Sequence, residues 1–239
     1  MLITGAARRI GACIAQTLHA RGCNLILHYR GSSSEAAQLA AELNAQRPNS
    51  ASIVQADLAD DASIERMAAE VGSRIQRLDV LVNNASRFFP TNPGATTRGQ
   101  WNDLMTSNLS GPYFLTQALL SLLTAANGSI INILDVYATR PMRGHAVYCM
   151  AKDGLQMMTL ALARDLGPAV RVNGVAPGAI LWPENDMDTA DQDKILARTV
   201  LGKAGRPEDI ASAVAYLGLD ATYVTGQVLA VDGGRSLNI

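Results

Sequence analysis

The chain has 239 residues, of which 48% are hydrophobic and 17% are charged, and its formal net charge is −1. This composition is too apolar for a disordered chain, and the length suits one large α/β domain. The charge balance gives no electrostatic reason to bind nucleic acid or an anionic membrane. No apolar run approaches the ~18 residues that span a bilayer, and the first residues, MLITGAARRIG, lack the features of a signal peptide. We therefore expect a cytoplasmic protein.

Short apolar runs alternate with helical patterns along the whole chain, and we find no repeat or linker. This alternation is typical of a parallel sheet that helices cover on both faces, so we predict a single domain over residues 1–239. The predicted strands are Leu2–Thr4, Asn24–Tyr29, Ser52–Gln55, Val80–Asn83, Ser129–Leu134, Arg171–Val175 and Gln227–Val231. The predicted helices are 9–20, 34–46, 61–75, 99–123, 147–166 and 207–218.

The first predicted strand runs into a glycine-containing turn, TGAARRIG, and then into a helix. Free amides at the start of such a helix bind a pyrophosphate, which predicts a dinucleotide site. The spacing of Gly5 and Gly11 differs from G-x-G-x-x-G, and Arg9 stands where a second glycine could be. Adjacent Arg8 and Arg9 favour a ligand with additional phosphate charge. The alternative is an ordinary helix start with solvated arginines.

The second predicted strand ends in HYRGSSS and indicates which dinucleotide binds. A site for NAD usually carries an acidic residue here, but the first acid is Glu35. Arg30, Ser32 and Ser33 would instead suit a 2′-phosphate, so we predict NADPH or NADP+ as the cofactor. The alternative is a polar loop in which Ser34 caps the next helix.

Polar and aromatic residues also follow the third and fourth strands. Asp57 could cap the next helix or touch an adenine, and the sequence leaves both open. Asn84 and Ala85 at a strand end suit a close approach of the backbone to a cofactor. Phe88 could stack on a flat heterocycle or pack under its loop. Asn108 lies where Pro112 should kink a long helix, and it could bond a freed backbone group.

The best candidate for chemistry is the segment that follows the fifth strand, DVYATRPMRGHAVYCMAK. Asp135 lies just past the strand, where open α/β sheets bind their ligands. Tyr148 and Lys152 are four residues apart and so share one helix face. The lysine charge should depress the tyrosine pKa and make it a proton donor. The alternative is a half-buried tyrosine beside a solvated lysine.

The remaining candidates lie around this segment. His145 could face a substrate or be incidental. After Pro177 and Gly178, a polar segment with Trp182 is a candidate lid at about 180–205, or else an ordered surface loop. The three cysteines lack metal-ligand spacing, so we predict reduced thiols and no metal site.

Taken together, TGAARRIG, VNNAS, Asn108, YCMAK, VAPG and VTGQVLAVDGG resemble the short-chain dehydrogenase/reductases over the full chain. The resemblance implies a Rossmann-type three-layer fold with about seven parallel strands, a nicotinamide cofactor and a homotetramer. Most members have a glycine in place of Arg9 and a serine in place of Asp135. Both departures occur together in the pteridine reductases, which share the HYR stretch and NNAS followed by a phenylalanine. The chain therefore resembles a pteridine reductase more closely than a generic member.

This resemblance implies roles for individual residues. Lys152 would hold the nicotinamide ribose and lower the tyrosine pKa, and Phe88 would sandwich a pterin against the nicotinamide. The implied cofactor contacts are Gly5, Arg9, Ile10, Tyr29, Arg30, Ser32, Asp57, Leu58, Asn84, Ala85, Ser86, Asn108, Lys152, Pro177 and Gly178. The implied substrate contacts are Arg9, Ser86, Phe88, Asp135, His145, Tyr148 and Trp182. The loop after Gly178 differs from the substrate loop of the best-known pteridine reductases, which come from parasites. It resembles the corresponding loop of bacterial relatives.

We expect an NADPH-dependent reductase of dihydropterins, with dihydrofolate or oxidised pterins as further substrates. One alternative is a carbonyl reductase of 3-oxoacyl thioesters. That enzyme would want a basic surface for an acyl carrier and a serine at position 135, and the sequence shows neither. A second alternative is a non-catalytic NADP(H) sensor, which should have lost Tyr148 or Lys152.

Overall fold

The computed structural model describes residues 1–182 and 188–238. Its core is a seven-stranded sheet in the order β3-β2-β1-β4-β5-β6-β7, and every pairing in it is parallel. The order reverses between β1 and β4, and ligands bind at such a reversal beside the carboxyl ends of the strands. The strands are β1 Leu2–Ile3, β2 Leu25–Tyr29, β3 Ala51–Gln55, β4 Val80–Asn83, β5 Ser129–Ile133, β6 Arg171–Pro177 and β7 Val228–Val231.

Helices cover both faces of the sheet. They are α1 Arg9–Ala20, α2 Ser33–Gln46, α3 Asp61–Arg74, α4 Arg98–Met105, α5 Gly111–Ala118, α6 Leu120–Ala125, α7 Ala146–Leu166, α8 Thr189–Ala197 and α9 Pro207–Ala215. Short 3-10 turns follow β5 at Val136–Ala138 and β7 at Arg235–Leu237, and π-helical turns lie at Thr106–Ser110 and Tyr216–Asp220. None of the described helices is long and apolar enough to cross a membrane.

Two apolar cores lie on opposite sides of the sheet. Helices α1, α2 and α9 cover one face, where Leu18 and Ile210 pack near Leu27 of β2. Helices α3, α5, α6 and α7 cover the other face, where Leu115 and Leu155 are fully buried. Strands buried on both faces explain the continuous Val, Ile and Leu runs of the sequence. The predicted Rossmann-type three-layer fold with a seven-stranded parallel sheet is confirmed.

The helix predicted over 99–123 is interrupted. Helix α4 ends at Met105, a π turn follows, and α5 begins at Gly111 with Pro112 in its first turn. A Cβ on Gly111 would lie 2.5 Å from the carbonyl oxygen of Leu58, so only glycine lets the helix approach β3's outgoing loop this closely. The helix predicted over 207–218 also ends early, because a π turn begins at Tyr216.

A row of buried polar side chains crosses from the sheet to α7. The Asn83 Nδ2 donates to Asn132 Oδ1 at 2.8 Å, and the Asn132 Nδ2 donates to Thr159 Oγ1 at 2.9 Å. Thr159 in turn donates to the Leu155 carbonyl at 2.8 Å. Hydrogen bonds require specific geometry where apolar contacts do not, so this row fixes the position of α7 over β4 and β5.

The predicted lid segment contains α8 and is anchored by the carboxyl-terminal residues. The Leu201 amide donates to the Gly233 carbonyl at 3.0 Å, and Arg235 Nη1 donates to the Ile195 carbonyl at 3.0 Å. Residues 183–187 of this segment lie outside the described residues. Movement of the segment as a lid stays a prediction.

Candidate active site

Asp135 is placed by the end of β5. Its backbone is still extended, while the chain turns immediately into the 3-10 turn that follows. The Asp135 Oδ1 caps this turn by accepting the Tyr137 amide at 3.0 Å, which fixes the carboxyl group. The other oxygen, Oδ2, accepts the Tyr148 hydroxyl at 2.7 Å. The aspartate and tyrosine predicted from the sequence therefore form a direct pair.

Helix α7 brings Tyr148 and Lys152 to the same place, one turn apart. Both are buried, with exposed fractions of 4% and 2%, so the alternative of a half-buried tyrosine and a solvated lysine is wrong. The Lys152 ammonium donates to the Ile133 carbonyl at 2.8 Å and lies 5.8 Å from the centre of the Tyr148 ring. The lysine is thus held against the end of β5, beneath the Asp135–Tyr148 pair.

Burial decides the protonation of these three groups. Loss of water raises the pKa of Asp135, although the Tyr137 amide, the Tyr148 hydroxyl and the charges of Lys152 and Arg235 oppose the rise. Burial lowers the pKa of Lys152 to about 8. Burial and the Asp135 charge together raise the pKa of Tyr148 well above its usual value. The predicted depression of the tyrosine pKa by Lys152 is therefore wrong in this structure, because the hydroxyl faces a carboxylate and not the ammonium.

An aromatic group stands beside the tyrosine. The Phe88 ring stacks on His145 with centroids 4.6 Å apart and an interplanar angle of 8°. It also meets Tyr148 edge-on at 4.9 Å. Phe88 is 49% exposed, so it is not packed under its loop. The structure brings His145 to the site, and its contact with a substrate stays a prediction.

Thr91 ties the Phe88 loop to the start of α7. The buried Thr91 hydroxyl accepts the Val147 amide at 3.3 Å, and the Thr91 amide donates to the Gly144 carbonyl at 2.6 Å. His145, the N-cap residue of α7, makes no side-chain cap of its own. A residue from a distant loop therefore supplies the missing cap and sets the loop against the catalytic helix.

A cleft of about 440 Å³ adjoins this site at the carboxyl ends of β1, β2 and β3. It contains most of the predicted cofactor residues. The predicted residues that line it are Gly5, Arg9, Ile10, Tyr29, Arg30, Ser32, Asp57, Leu58, Asn84, Ala85 and Ser86. Its wall also includes the amino end of α1 and two further arginines, Arg8 and Arg87, so the donor set fits a dinucleotide with phosphate groups.

The glycine turn explains the shape of this cleft. Gly5 has φ +61°, and a Cβ on Gly11 would overlap the carbonyl oxygen of Gly5. Arg9 has φ +53°, a left-handed conformation that costs a non-glycine residue roughly 1 kcal/mol. The strain explains why a glycine would suit position 9. The Arg9 Nη2 donates to the Trp182 carbonyl at 3.1 Å, so this side chain joins the turn to the predicted lid segment.

Two structural alternatives are now decided. Ser34 does not cap α2, because the helix begins one residue earlier and the Ser34 hydroxyl donates to Glu35 at 2.8 Å. Asp57 does not cap α3, whose N-cap residue is Asp60. Asp57 Oδ1 instead accepts the Ala59 amide at 3.0 Å in a tight turn at the cleft.

Four predicted cofactor residues lie outside the cleft lining, namely Asn108, Lys152, Pro177 and Gly178. Asn108, in the π turn, accepts the Ser86 hydroxyl at 2.6 Å and donates to the carbonyls of Leu104 and Arg87, each at 3.0 Å, so it does bond backbone groups beside the irregular turn. A Cβ on Gly178 would lie 2.7 Å from Asp232, so close packing explains that glycine, and Pro177 ends β6. Their contact with a cofactor stays a prediction.

Sequence reasoning missed Arg235. This residue is 5% exposed, and Nη2 donates to the Tyr137 hydroxyl at 2.7 Å. Within the described part of the chain it pairs with no carboxylate, and its charge is one of the effects that oppose the rise in the pKa of Asp135. Arg235 lies 100 residues beyond Asp135 in the sequence, so no local pattern could indicate that the two side chains are close in space.

Comparison with known proteins finds reductases over nearly the whole chain. The family described as enoyl-(acyl carrier protein) reductase matches residues 5–236. Pteridine reductase 1 from Leishmania tarentolae is 36% identical over 276 residues, covering 99% of this chain and 96% of that protein. The 3-oxoacyl-[acyl-carrier-protein] reductase FabG from Staphylococcus aureus is 36% identical over 240 residues, covering 98% and 96%. A protein named as ketoacyl reductase 2 of the granaticin polyketide synthase from Streptomyces violaceoruber is 37% identical over 243 residues, covering 99% and 95%.

Proposed function

The chain belongs to the short-chain dehydrogenase/reductase family and is a nicotinamide-dependent oxidoreductase, and from this we propose that it is an NADPH-dependent pteridine reductase. It would reduce a ring C=N bond of a dihydropterin, such as dihydrobiopterin or dihydromonapterin, to the tetrahydropterin. Dihydrofolate and oxidised pterins are further candidate substrates. NADPH supplies the hydride that such a reduction places on the ring carbon.

The hydrogen bond between Tyr148 and Asp135 carries the proposal. Reduction of a C=N bond requires a proton on nitrogen, whereas a carbonyl reductase needs one on oxygen. A serine at position 135 could only hydrogen-bond a carbonyl oxygen. A carboxyl group at that position can itself hold a proton, and burial raises its pKa toward the range in which it does so.

The pair accounts for the proton as follows. Once Asp135 has taken up a proton, Tyr148 gives its hydroxyl proton to the ring nitrogen and receives the proton of the Asp135 carboxyl group along their 2.7 Å hydrogen bond. This transfer leaves Asp135 as the carboxylate that accepts the Tyr148 hydroxyl. Asp135 then takes a proton from solvent for the next cycle. Lys152 lies close enough to stabilise the negative charge that the pair carries between these steps.

The aromatic group beside the tyrosine supports a flat substrate. The half-exposed Phe88 ring stands edge-on to Tyr148 and is backed by His145, so a planar heterocycle could stack next to the proton donor. Arg9 and Ser86 lie at the adjoining wall of the cleft, where they could contact the polar edge of a pterin.

The preference for NADPH over NADH is supported by the end of β2. Arg30 and Ser32 line the cleft there, and neither is a carboxylate that would repel a 2′-phosphate. Arg8 lies on the same wall and pairs only distantly with Glu35, at 3.9 Å between exposed groups. An exposed pair of this kind contributes little and leaves the arginine able to bind phosphate.

The second candidate function is a carbonyl reductase of 3-oxoacyl thioesters. This candidate is supported by sequence identity, because two relatives named as oxoacyl or ketoacyl reductases are as similar to this chain as the pteridine reductase. A non-catalytic sensor is disfavoured, because Tyr148 and Lys152 are both present and buried together.

The decisive assay follows NADPH oxidation with dihydrobiopterin, dihydromonapterin, dihydrofolate and an acetoacetyl thioester side by side. We expect turnover of at least one pterin and little turnover of the thioester. Turnover of the thioester alone would overturn the pteridine assignment, and turnover of none would favour the sensor.

Asp135→Ser tests the residue on which the assignment depends. We expect the variant to lose about tenfold or more of its pterin reduction rate, with the Kd for NADPH near that of the wild type. Asp165→Ser, which removes an exposed acid near the far end of α7, is the matched control. Equal losses of rate and of NADPH affinity would mean that Asp135 is a structural residue.

We also propose that the protein is a cytoplasmic homotetramer. Large apolar side chains are exposed on α5 and α7 (Tyr113, Phe114, Met150, Met157 and Leu160) and on the edge strand β7 (Leu229). Exposed apolar side chains of this kind suit contacts between copies of the chain. Light scattering should give four chains per particle, and Leu229→Glu should reduce that number.

A further inference from the structure

His28 is a buried polar residue in the lining of the cofactor cleft, and it has no role in the chemistry above. It lies on β2 and is 2% exposed. Its Nδ1 accepts the backbone amide of Gly5 at 3.1 Å, and its Nε2 lies 3.1 Å from the carbonyl oxygen of Ala56. The imidazole therefore touches the turn after β1 on one side and the segment after β3 on the other.

These two contacts allow one form of the ring. A backbone amide can only donate, so Nδ1 must carry a lone pair, and a carbonyl can only accept, so Nε2 must carry the hydrogen. His28 is thus a neutral imidazole of fixed tautomer. Burial lowers its pKa to about 4, against the opposing effects of the Ala56 carbonyl and the Asp57 charge, which agrees with the neutral form.

The two segments that His28 joins are opposite walls of the cleft. Gly5 belongs to the turn that would receive the pyrophosphate, and its left-handed conformation holds it against Asn84 and Ala85. Ala56 precedes Asp57, which lines the cleft on the far side of β2. In the sheet β2 lies between β3 and β1, so one side chain of the central strand spans the distance between its two neighbours.

We propose that His28 is a positioning residue for dinucleotide binding. By joining the Gly5 turn to the Ala56 segment, it fixes the width of the cleft before the cofactor arrives. A cleft formed in advance binds more tightly, because less conformational freedom is lost on binding. The inference depends on the nicotinamide cofactor of the family and does not depend on the pteridine assignment.

Three substitutions of His28 separate its two bonds. His28→Leu removes both, His28→Asn retains an acceptor near the Nδ1 position, and His28→Gln retains a donor near the Nε2 position. NADPH affinity is measured by fluorescence titration, without any second substrate. We expect the Kd for NADPH to rise roughly tenfold in His28→Leu and a few-fold in each of the other two.

His19 provides the matched control. It is also a buried histidine, 4% exposed, and its Nε2 lies 2.7 Å from the Ser50 hydroxyl, at the amino ends of the strands and away from the cleft. His19→Leu should lower thermal stability comparably while leaving the Kd for NADPH within about twofold of the wild type.

The kinetic parameters provide a second test of the role of His28. In the His28 variants the KM for NADPH should rise with the Kd, while kcat at saturating NADPH should fall less than about threefold. The proposal is overturned if His28→Leu binds NADPH like the wild type, or if His19→Leu weakens binding as much. If His28→Leu does not fold, wild-type affinity in both His28→Asn and His28→Gln would overturn it equally.

Discussion

At the scale of single residues, the site consists of three buried titratable groups, and the charge of Asp135 affects the pKa of the other two. Asp135, Tyr148 and Lys152 lie within one hydrogen-bonded neighbourhood at the end of β5, and each has a shifted pKa for the same first reason, loss of water. The carboxyl of Asp135 raises the pKa of Tyr148, and the ammonium of Lys152 opposes the rise in the pKa of Asp135. Asp135 takes part in both interactions, so its removal changes the protonation of Tyr148 and Lys152.

Tyr148→Phe removes the hydroxyl that is proposed to deliver the proton. We expect the rate of reduction at saturating NADPH to fall ~10²-fold or more, because general acid catalysis contributes that much. Tyr223→Phe, a change at a fully exposed tyrosine, is the control. A Tyr148→Phe enzyme with an undiminished rate would mean that the proton has another source.

Arg9 permits a separate measurement of backbone strain. Arg9→Ala and Arg9→Gly lose the same guanidinium, but only glycine adopts a φ near the observed +53° without strain. We expect the glycine variant to be more stable than the alanine variant by about 1 kcal/mol in urea denaturation, and both to bind NADPH more weakly than the wild type. Greater stability of the alanine variant would contradict the strained conformation.

At the scale of elements, helix α7 is fixed by contacts that come from elsewhere in the chain. Thr91 caps its first turn from the Phe88 loop, and Asn132 of β5 holds Thr159 two turns beyond Lys152. Tyr148 and Lys152 thus lie on a part of α7 that is held by hydrogen bonds at both ends, at Val147 and at Thr159. A site on such an element keeps its geometry better than a site on a loop.

Thr91→Val keeps the shape of the side chain and removes the cap. We expect a loss of about 1 kcal/mol in unfolding free energy, because the Val147 amide is left without its acceptor. The rate should fall as well, since the same bond positions Phe88 beside Tyr148. Thr96→Val, in the exposed part of the same loop, should change neither quantity. Equal effects of the two substitutions would contradict the capping role.

At the scale of the whole molecule, the buried lysine makes folding stability depend on pH. The pKa of Lys152 is about 8 when folded and near its usual value of 10.5 when unfolded. Below pH 8 both states hold the proton. Between pH 8 and 10.5 the unfolded chain retains a proton that the folded chain has lost, so this group makes the folded state more stable as the pH rises.

Lys152→Met isolates this contribution. We expect the wild type to gain unfolding free energy relative to the variant as pH increases above 8, by at most about 1.4 kcal/mol per pH unit. Urea denaturation of both proteins at pH 7, 8 and 9 measures the difference. Parallel pH profiles for the two proteins would show that the lysine is not buried as described.

The sequence sufficed for the strands, the sheet and the Asp135–Tyr148–Lys152 set, because hydrophobic periodicity and residue spacing are local properties. It predicted a kink at Pro112, but it did not predict the π turn at Thr106–Ser110 or the close approach of Gly111 to the Leu58 carbonyl, which is a tertiary contact. The direction of the Tyr148 pKa was also wrong from sequence, because burial and the partner of the hydroxyl are tertiary facts. The bridging contacts of His28 were missed for the same reason.

The buried row of Asn83, Asn132 and Thr159 bears on how this fold can change over evolutionary time. Loss of any one member leaves a neighbour buried without its bond, at a cost of about 1–3 kcal/mol, whereas apolar replacement of all three together can be nearly neutral. An apolar version of the row is therefore separated from the present one by unstable intermediates. Relatives that diverge one substitution at a time should keep the row, whatever substrate their active sites come to accept.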